Sequence, residues 1–488
     1  MELRTGRNID INSASRLQRL ALLCRIGIIA LMTFVSGCIH YASLPPMVTQ
    51  DTAASTSLLI TNARIFDGNA QHPVLENMDI LIENSRIARL GNHPLNATAA
   101  KTIAADGLLV MPGLIDFHTH VGGTDAPPWY KTIYPPSRTL SAFLAHGVTS
   151  VVDMGGIPGQ LQDLRDELES GEIAGPRLAY AGRQVTVADG HPEPLIDEAV
   201  AWPLSVAVKK WMVDEVTEET DFTALVQDRR DQGASLVKIM IDRIPLEAPA
   251  ISAALSAKVV AAAHQQGLPV AAHIGTEEDM LTGLSAGVDF FAHSVNNSNL
   301  SATTLKALQQ AGTPVISTLR VFQNVALVSG GVNPVTAADA LVMDADAAAA
   351  FNGPSEVSPT MSEWGRHIAG NTASMFAGCH AMREAGIPML LGTDTPLLGA
   401  SAGSSTHVEL NLLVERCGFS PLQALALATG KPGAVLAQWL QLPGLGTVSE
   451  GAPADLLIMN GDPTQQIDEI SQIRDIISRG RIISRTPL

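Results

Sequence analysis

Positive charge is scarce in this sequence. Lys and Arg number 31 against 48 Asp and Glu in 488 residues, a formal net charge of −17. Nucleic-acid binding leans on neutralising phosphates, so the chain is a poor candidate for that class, and its charge reads as solubility and self-repulsion. Cysteine is scarce too, with four residues. Cys24 and Cys38 belong to the N-terminal leader and its end, which leaves Cys379 and Cys417, too few for a disulfide scaffold. Long low-complexity stretches are missing, and a composition of 46% hydrophobic and 16% charged residues is globular. A long apolar run is missing as well: "IGIIALMTFV" (26–35) is too short to span a bilayer as a folded helix.

What stands at the N-terminus is a targeting signal. Arg4, Arg7, Arg16, Arg19 and Arg25 form a basic leader before that apolar run. "VSGC", Val35 to Cys38, looks like the lipobox of bacterial lipoproteins, which implies a signal peptide over 1–37 and lipid on Cys38. Residue 39 is Ile rather than Asp, which by the same resemblance implies the outer membrane, on its periplasmic face. An ordinary signal peptide with a chance cysteine is the alternative. Loss of the leader removes five arginines and two acids and leaves a charge of −20. Residues 38–56, with Pro45, Pro46 and several Ser and Thr, read as a tether, so that membrane contact runs through the anchor alone.

Two terminal segments resemble each other in style. "SLLITNARIFDG" (57–68) and "MDILIENSRIARLG" (78–91) alternate and turn like antiparallel strands, as do "ADLLIMNGDP" (454–463) and "IRDIISRGRIISR" (473–485). They predict a small β-sandwich domain built from 57–111 and 441–488. Between them, 112–440 alternates short apolar runs with helical stretches such as 251–267 and 301–312. Strand ends fall near Asp116, Asp153, Gly182, Met240, His273, His293, Thr318 and Asp394, so the α/β pattern predicts a (β/α)8 TIM barrel. An oversized segment, about 320–385, is placed to cover the mouth as a lid.

Catalytic groups of such barrels sit at the C-terminal ends of the strands. "LIDFHTHVGG" (114–123) places His118 and His120 two apart, so a strand points both rings one way. Lys238 lies inside the apolar "SLVKIMI", and His273, His293 and Asp394 each close a strand. Singly, each has an ordinary reading: a structural histidine, a snorkelling lysine, a turn. Together, imidazoles and a carboxylate at these ends suit zinc.

At this point the chain resembles the amidohydrolase superfamily. The motifs that carry the resemblance run in order from "ITNARIFDG" and "MPGLIDFHTH" through "LAHGVTSVVDMGG", "VKIM", "VAAHIGT", "AGVDFFAHS" and "LLGTDTP" to "GTVSEGAPADLLIMNGDP". The pattern is similar to the imidazolonepropionase-like and Xaa-Pro (Xaa-Arg) dipeptidase-like branch. The resemblance implies two divalent ions, with zinc expected: His118, His120 and Asp394 on one, His273 and His293 on the other, and Lys238 bridging both as a carboxylated lysine. It implies that water activated by both ions attacks a carbonyl and that Asp394 acts as general base and then acid. Lys238 argues against true imidazolonepropionase, which uses one metal and lacks that lysine.

The implied reaction is hydrolysis of an amide, with dipeptides or N-acyl amino acids as the expected small-molecule substrates. Alternatives are a hydrolase of cyclic amides, lactones or xenobiotic esters and, from another class, a metal-free binding lipoprotein. Homo-oligomer formation stays open. His191 in "VADGHPEP" aligns with a Gly-Gly-His stretch of this branch and is a candidate for the pocket, although Asp189 and Gly190 replace the usual pair. Arg183, Arg243 and Arg320 each follow a barrel strand, and one could bind a substrate carboxylate. "IDRIPLE" stands where the branch has a Gly-rich turn. Asp153 and His407 read as scaffold residues.

Overall fold

The computed structural model describes residues 40–42, 44–50, 57–353 and 357–486. The expected signal peptide, 1–37, and the expected lipidation site, Cys38, lie outside these residues. The stretch read as a tether is docked at two points. His40–Tyr41 pairs in parallel with Thr132–Ile133, and Val48–Gln50 runs antiparallel to the strand Arg481–Arg485. Open main-chain groups on a sheet edge accept such an added strand, which composition alone does not reveal.

The two ends of the chain meet in one nine-stranded mixed sheet. Ser57–Ile65, Leu75–Glu83 and Leu109–Pro112 come from the front, and Leu456–Met459, Ile473–Ser478 and Arg481–Arg485 from the back. Leu456 to Met459 pairs residue by residue with Pro112 to Leu109, which joins the halves. The β-sandwich expectation is therefore corrected to a single continuous sheet. Its curvature brings Ile87 to the 451–454 segment, where the Ile87 N–H donates to the Ala452 carbonyl at 2.9 Å. Leu58, Ile60, Ile80, Val110, Leu456 and Ile458 share the core inside this curve.

In the middle of the chain, parallel strands alternate with helices. Their ladders form a four-stranded sheet (Arg177–Tyr180, Val148–Asp153, Leu114–Thr124, Thr395–Leu397) and a seven-stranded one. The seven-stranded order is Val213–Glu215, Gln184–Thr186, Val237–Met240, Val270–His273, Phe290–Phe291, Val315–Ile316, Met389–Leu390. The chain passes between the sheets twice, from Tyr180 to Gln184 and from Leu390 to Thr395. At those passages the Phe117 N–H donates to the Leu391 carbonyl and the Ser235 N–H to the Tyr180 carbonyl. The arrangement is barrel-like, although the ladders of the described residues do not run round as one closed ring.

Strands such as Val148–Asp153 and Val237–Met240 are buried throughout, which is why they read as unbroken apolar runs. Ile115, Val152, Ala179, Ala271, Ile316 and Leu390, from six different strands, fill one common layer. Several helices start at side-chain caps, for example Ser252 before Ala253–Gln265, Thr276 before Glu277–Ala286 and Ser301 before Ala302–Ala311. The segment expected as a lid contains helices Leu319–Ser329 and Pro359–Glu384. Cys379 of the latter is disulfide-bonded to Cys417. The two cysteines left after the leader thus form one staple, not a scaffold.

Candidate metal centre

Strand Leu114–Thr124 delivers His118 and His120, and the segment after Met389–Leu390 delivers Asp394. The close approach of that segment depends on Gly392, because a Cβ there would stand 2.8 Å from the His118 Cβ. Asp116 ties the segment down by accepting the Thr393 N–H at 3.0 Å and the Thr393 hydroxyl at 2.7 Å. Asp394 itself has φ +61°, a conformation that Asp tolerates better than most residues. Its Oδ1 lies 3.2 Å from His118 Nε2 and 3.1 Å from His120 Nε2.

The protonation states at this corner follow from the partners behind it. His118 Nδ1 is 2.8 Å from the Ala292 carbonyl oxygen, and His120 Nδ1 is 3.1 Å from the Gly155 carbonyl oxygen. A carbonyl only accepts, so both Nδ1 atoms carry hydrogen, and a neutral ring then presents a lone pair at Nε2. Two lone pairs and a carboxylate oxygen converge within 4.8 Å of one another. Such a set of acceptors is stable only around a cation or added protons.

A second corner is built by His273 and His293. His293 Nδ1 lies 2.9 Å from the Thr318 hydroxyl, and His273 Nε2 faces Asp242 Oδ2 at 3.2 Å. These contacts leave His293 Nε2 and His273 Nδ1 facing each other 2.8 Å apart. The β-branched Thr318 sits at φ +45°, local strain of the kind that gathers at functional sites. The rings of His118 and His293 are 4.6 Å apart, so the corners are contiguous.

Lys238 lies between the corners, fully buried, with Nζ 3.4 Å from His118 Nε2. Burial lowers its pKa to about 8, against the pull of Asp394, Asp242 and Asp153. Burial, with Lys238 adding to it, lowers His118 to about 3, and burial lowers His273 to about 4. Burial opposes ionisation of Asp394, but His118 and His120 hold it well below the usual carboxylate range. Desolvation pulls the half-buried His120 down, yet Asp394 raises it. The six residues expected as ligands are thus brought together.

Asp242 is the residue that the sequence reading missed. It accepts from His191 Nδ1 at 2.7 Å through Oδ1 and faces His273 through Oδ2. Burial opposes its charge, but the two imidazoles hold it well below the usual range. His191, Asp242 and His273 are close enough to hold an ion of their own. Both Asp242 oxygens already face ring nitrogens, however, so the carboxylate reads as the orienting partner behind His273 rather than as a ligand. The available signal was an acid four residues after Lys238, just past a strand end.

The three candidate arginines separate cleanly. Arg183 is ion-paired with Asp214 and Asp228, and the buried Arg320 with Asp339. Both are therefore corrected from substrate contacts to structural ion pairs, with the Nε of each left without a hydrogen bond. Arg243 is exposed, without an ion-pair partner among the described residues. It lines a cavity of about 510 Å³, open mouth included, beside His273, Asp242, Phe322 and Trp364. Phe322 and Trp364 come from the two lid helices and meet edge to face at 6.3 Å. As expected of scaffold residues, Asp153 accepts the Val121 and Gly155 N–H groups, and His407 Nε2 bonds the His146 carbonyl.

Comparison with known proteins bears on this geometry. A family model described as "Amidohydrolase family" matches residues 109–483. An uncharacterized protein of Mycobacterium tuberculosis is 26% identical over 384 residues, covering 77% of this chain and 85% of that protein. Ochratoxinase of Aspergillus niger is 24% identical over 461 residues, covering 86% and 85% respectively. The solved structure of a Xaa-Pro dipeptidase, with methionine bound in its active site, superposes with a TM-score of 0.70 at 21% identity. That superposition covers 87% of this chain and 99% of the dipeptidase. The structural likeness assigns a TIM-barrel-like α/β fold.

Proposed function

This chain belongs to the amidohydrolase family, and we propose that this metal-dependent hydrolase uses two zinc ions to cleave amide bonds of dipeptides or N-acyl amino acids. The observation that carries the reading is the convergence of acceptors. His118, His120 and Asp394 on one side, and His273 and His293 on the other, bring ring nitrogens and a carboxylate oxygen together. Imidazole and carboxylate donors of this kind fit zinc. A metal-free binding protein on the same fold has no reason to keep such a set, since buried acceptors without donors destabilise it.

Bound ions supply Lewis acidity and ionised water at neutral pH. The remaining work falls to side chains of this chain. Lys238 as an ammonium would stand beside two divalent cations. As a carbamate, formed when its neutral amine adds CO2 and loses a proton, it would be an anionic two-oxygen ligand between the corners. Asp394 turns Oδ1 to the histidines, and its Oδ2 takes the proton of the attacking water and returns it to the leaving amine nitrogen. His191 is held at Nδ1 by Asp242 and so steadies the carboxylate behind His273. Arg243, unpaired at the cavity rim, binds the substrate carboxylate. Phe322 and Trp364 cover its apolar part.

Export and lipid attachment at Cys38 belong to the same reading, which places the enzyme on the periplasmic face of the outer membrane. The one disulfide supports an oxidising compartment. A screen of the purified protein against dipeptides and N-acyl amino acids tests the substrate class. Zinc-dependent release of amino acids with a free carboxylate is expected. Turnover confined to lactones or esters lacking a carboxylate contradicts it.

A further inference from the structure

Four large apolar side chains stand exposed within ten residues, on the segment that follows His191: Trp202 at 82%, Trp211 at 53%, and Leu204 and Val206 at 42% each. Helix Leu204–Met212 buries Ser205 alone, so its apolar side is not turned into the core. An exposed patch of this kind marks an interaction surface. Tryptophan in particular favours the membrane–water boundary, where its ring is half apolar and half polar.

The N-terminus points to the occupant. His40 pairs with Thr132, beside Ile133, which is itself 47% exposed. Only Ile39 stands between Cys38 and His40, a reach of at most about 7 Å over two residue steps. Lys131, next to Thr132, donates from Nζ to the Ala199 carbonyl at 3.0 Å, three residues before Trp202. The first described residues and the apolar patch therefore share one side of the molecule. A lipid on Cys38 has almost no slack and must bring this side against the bilayer.

We infer that the surface formed by Trp202, Leu204, Val206, Trp211 and Ile133 rests in the interface of the phospholipid bilayer that holds the N-terminal lipid. The inference deepens the lipoprotein reading and rests on it for the anchor. No helix among the described residues is long and apolar enough to cross a membrane, so the contact is peripheral. Charge is not its cause. Lys209 is paired with Asp197, Glu198 bonds Ser358, and the chain is acidic overall. Docking is accordingly insensitive to salt and needs no anionic lipid. The same segment bonds to the lid through Glu198 and Ser358, so the bilayer contact lies beside the barrel mouth.

The mature protein purified from membranes is reconstituted into phosphatidylcholine vesicles with brominated acyl chains, and tryptophan fluorescence is read. Mass spectrometry of the N-terminal peptide first establishes the lipid on Cys38. Quenching at least twofold greater than in the Trp202→Phe/Trp211→Phe variant, and unchanged at about 1 M salt, is expected. Equal quenching in the two proteins overturns the docking surface even when Cys38 is lipidated. An unmodified Cys38 overturns the anchor alone, and vesicles added to that soluble protein still report the surface. A stable dimer that shields Trp202 and Trp211 from the brominated lipid overturns it in favour of a second copy.

Discussion

The two corners of the candidate metal centre are held by different chemistry. Behind His118 and His120 stand the backbone carbonyls of Ala292 and Gly155. Behind His293 and His273 stand side chains, the Thr318 hydroxyl and the Asp242 carboxylate. A carbonyl fixes the tautomer of an imidazole, and no side-chain substitution removes it. A carboxylate fixes the tautomer, makes the ring a more basic ligand, and can be replaced. Asp242 also grips His191, and Asp242 and His273 themselves line the cavity, whereas His118 and His120 do not. The first corner is built for permanence and the second for adjustment.

The largest break in this contrast comes from Lys238, proposed above to join both corners. Lys238→Ala is expected to lower kcat/KM by on the order of 10³-fold, several kcal/mol of barrier, with partial rescue by short-chain carboxylic acids; failure of rescue argues against a carbamate. Asp242→Asn acts on one corner. It is expected to weaken one of the two zinc sites by roughly 10- to 100-fold and to leave the other unchanged, as read by competition with a zinc chelator. Arg243→Ala leaves both corners intact. It is expected to raise KM about 10-fold for substrates with a free carboxylate, the scale of one charge-assisted hydrogen bond, and to leave their methyl esters unaffected. Thr318→Val removes a neutral hydroxyl and is expected to shift the affinity of the second corner by only about 3-fold, below the effect of a charged partner.

Much of this site is legible in the sequence, because the histidines and Asp394 close apolar runs, Lys238 breaks one, and the barrel-like fold gathers strand ends at one face. The period-two spacing of His118 and His120 is enough to aim both rings. Asp242 is not legible as their counterpart's partner. Its role depends on where the loop carrying His191 lands, and nothing local encodes that. Arg183 and Arg320 failed as substrate contacts for the same reason, since Asp214, Asp228 and Asp339 reach them from other segments. In the fold, the alternation of apolar runs revealed the parallel strands, but short pieces such as Thr395–Leu397 follow Asp394 without an apolar run of their own. The docking of 40–50 and the joining of both chain ends into one sheet are decided by free strand edges, which are properties of the folded molecule.

The central claim is a two-ion centre whose second corner hangs on a side chain. Zinc content of wild-type and Asp242→Asn protein, measured by mass spectrometry after dialysis against the same limiting chelator, tests it most directly. About two ions per wild-type chain and about one per variant chain are expected. Equal content in the two proteins, or no zinc in either after zinc-supplemented expression, contradicts it.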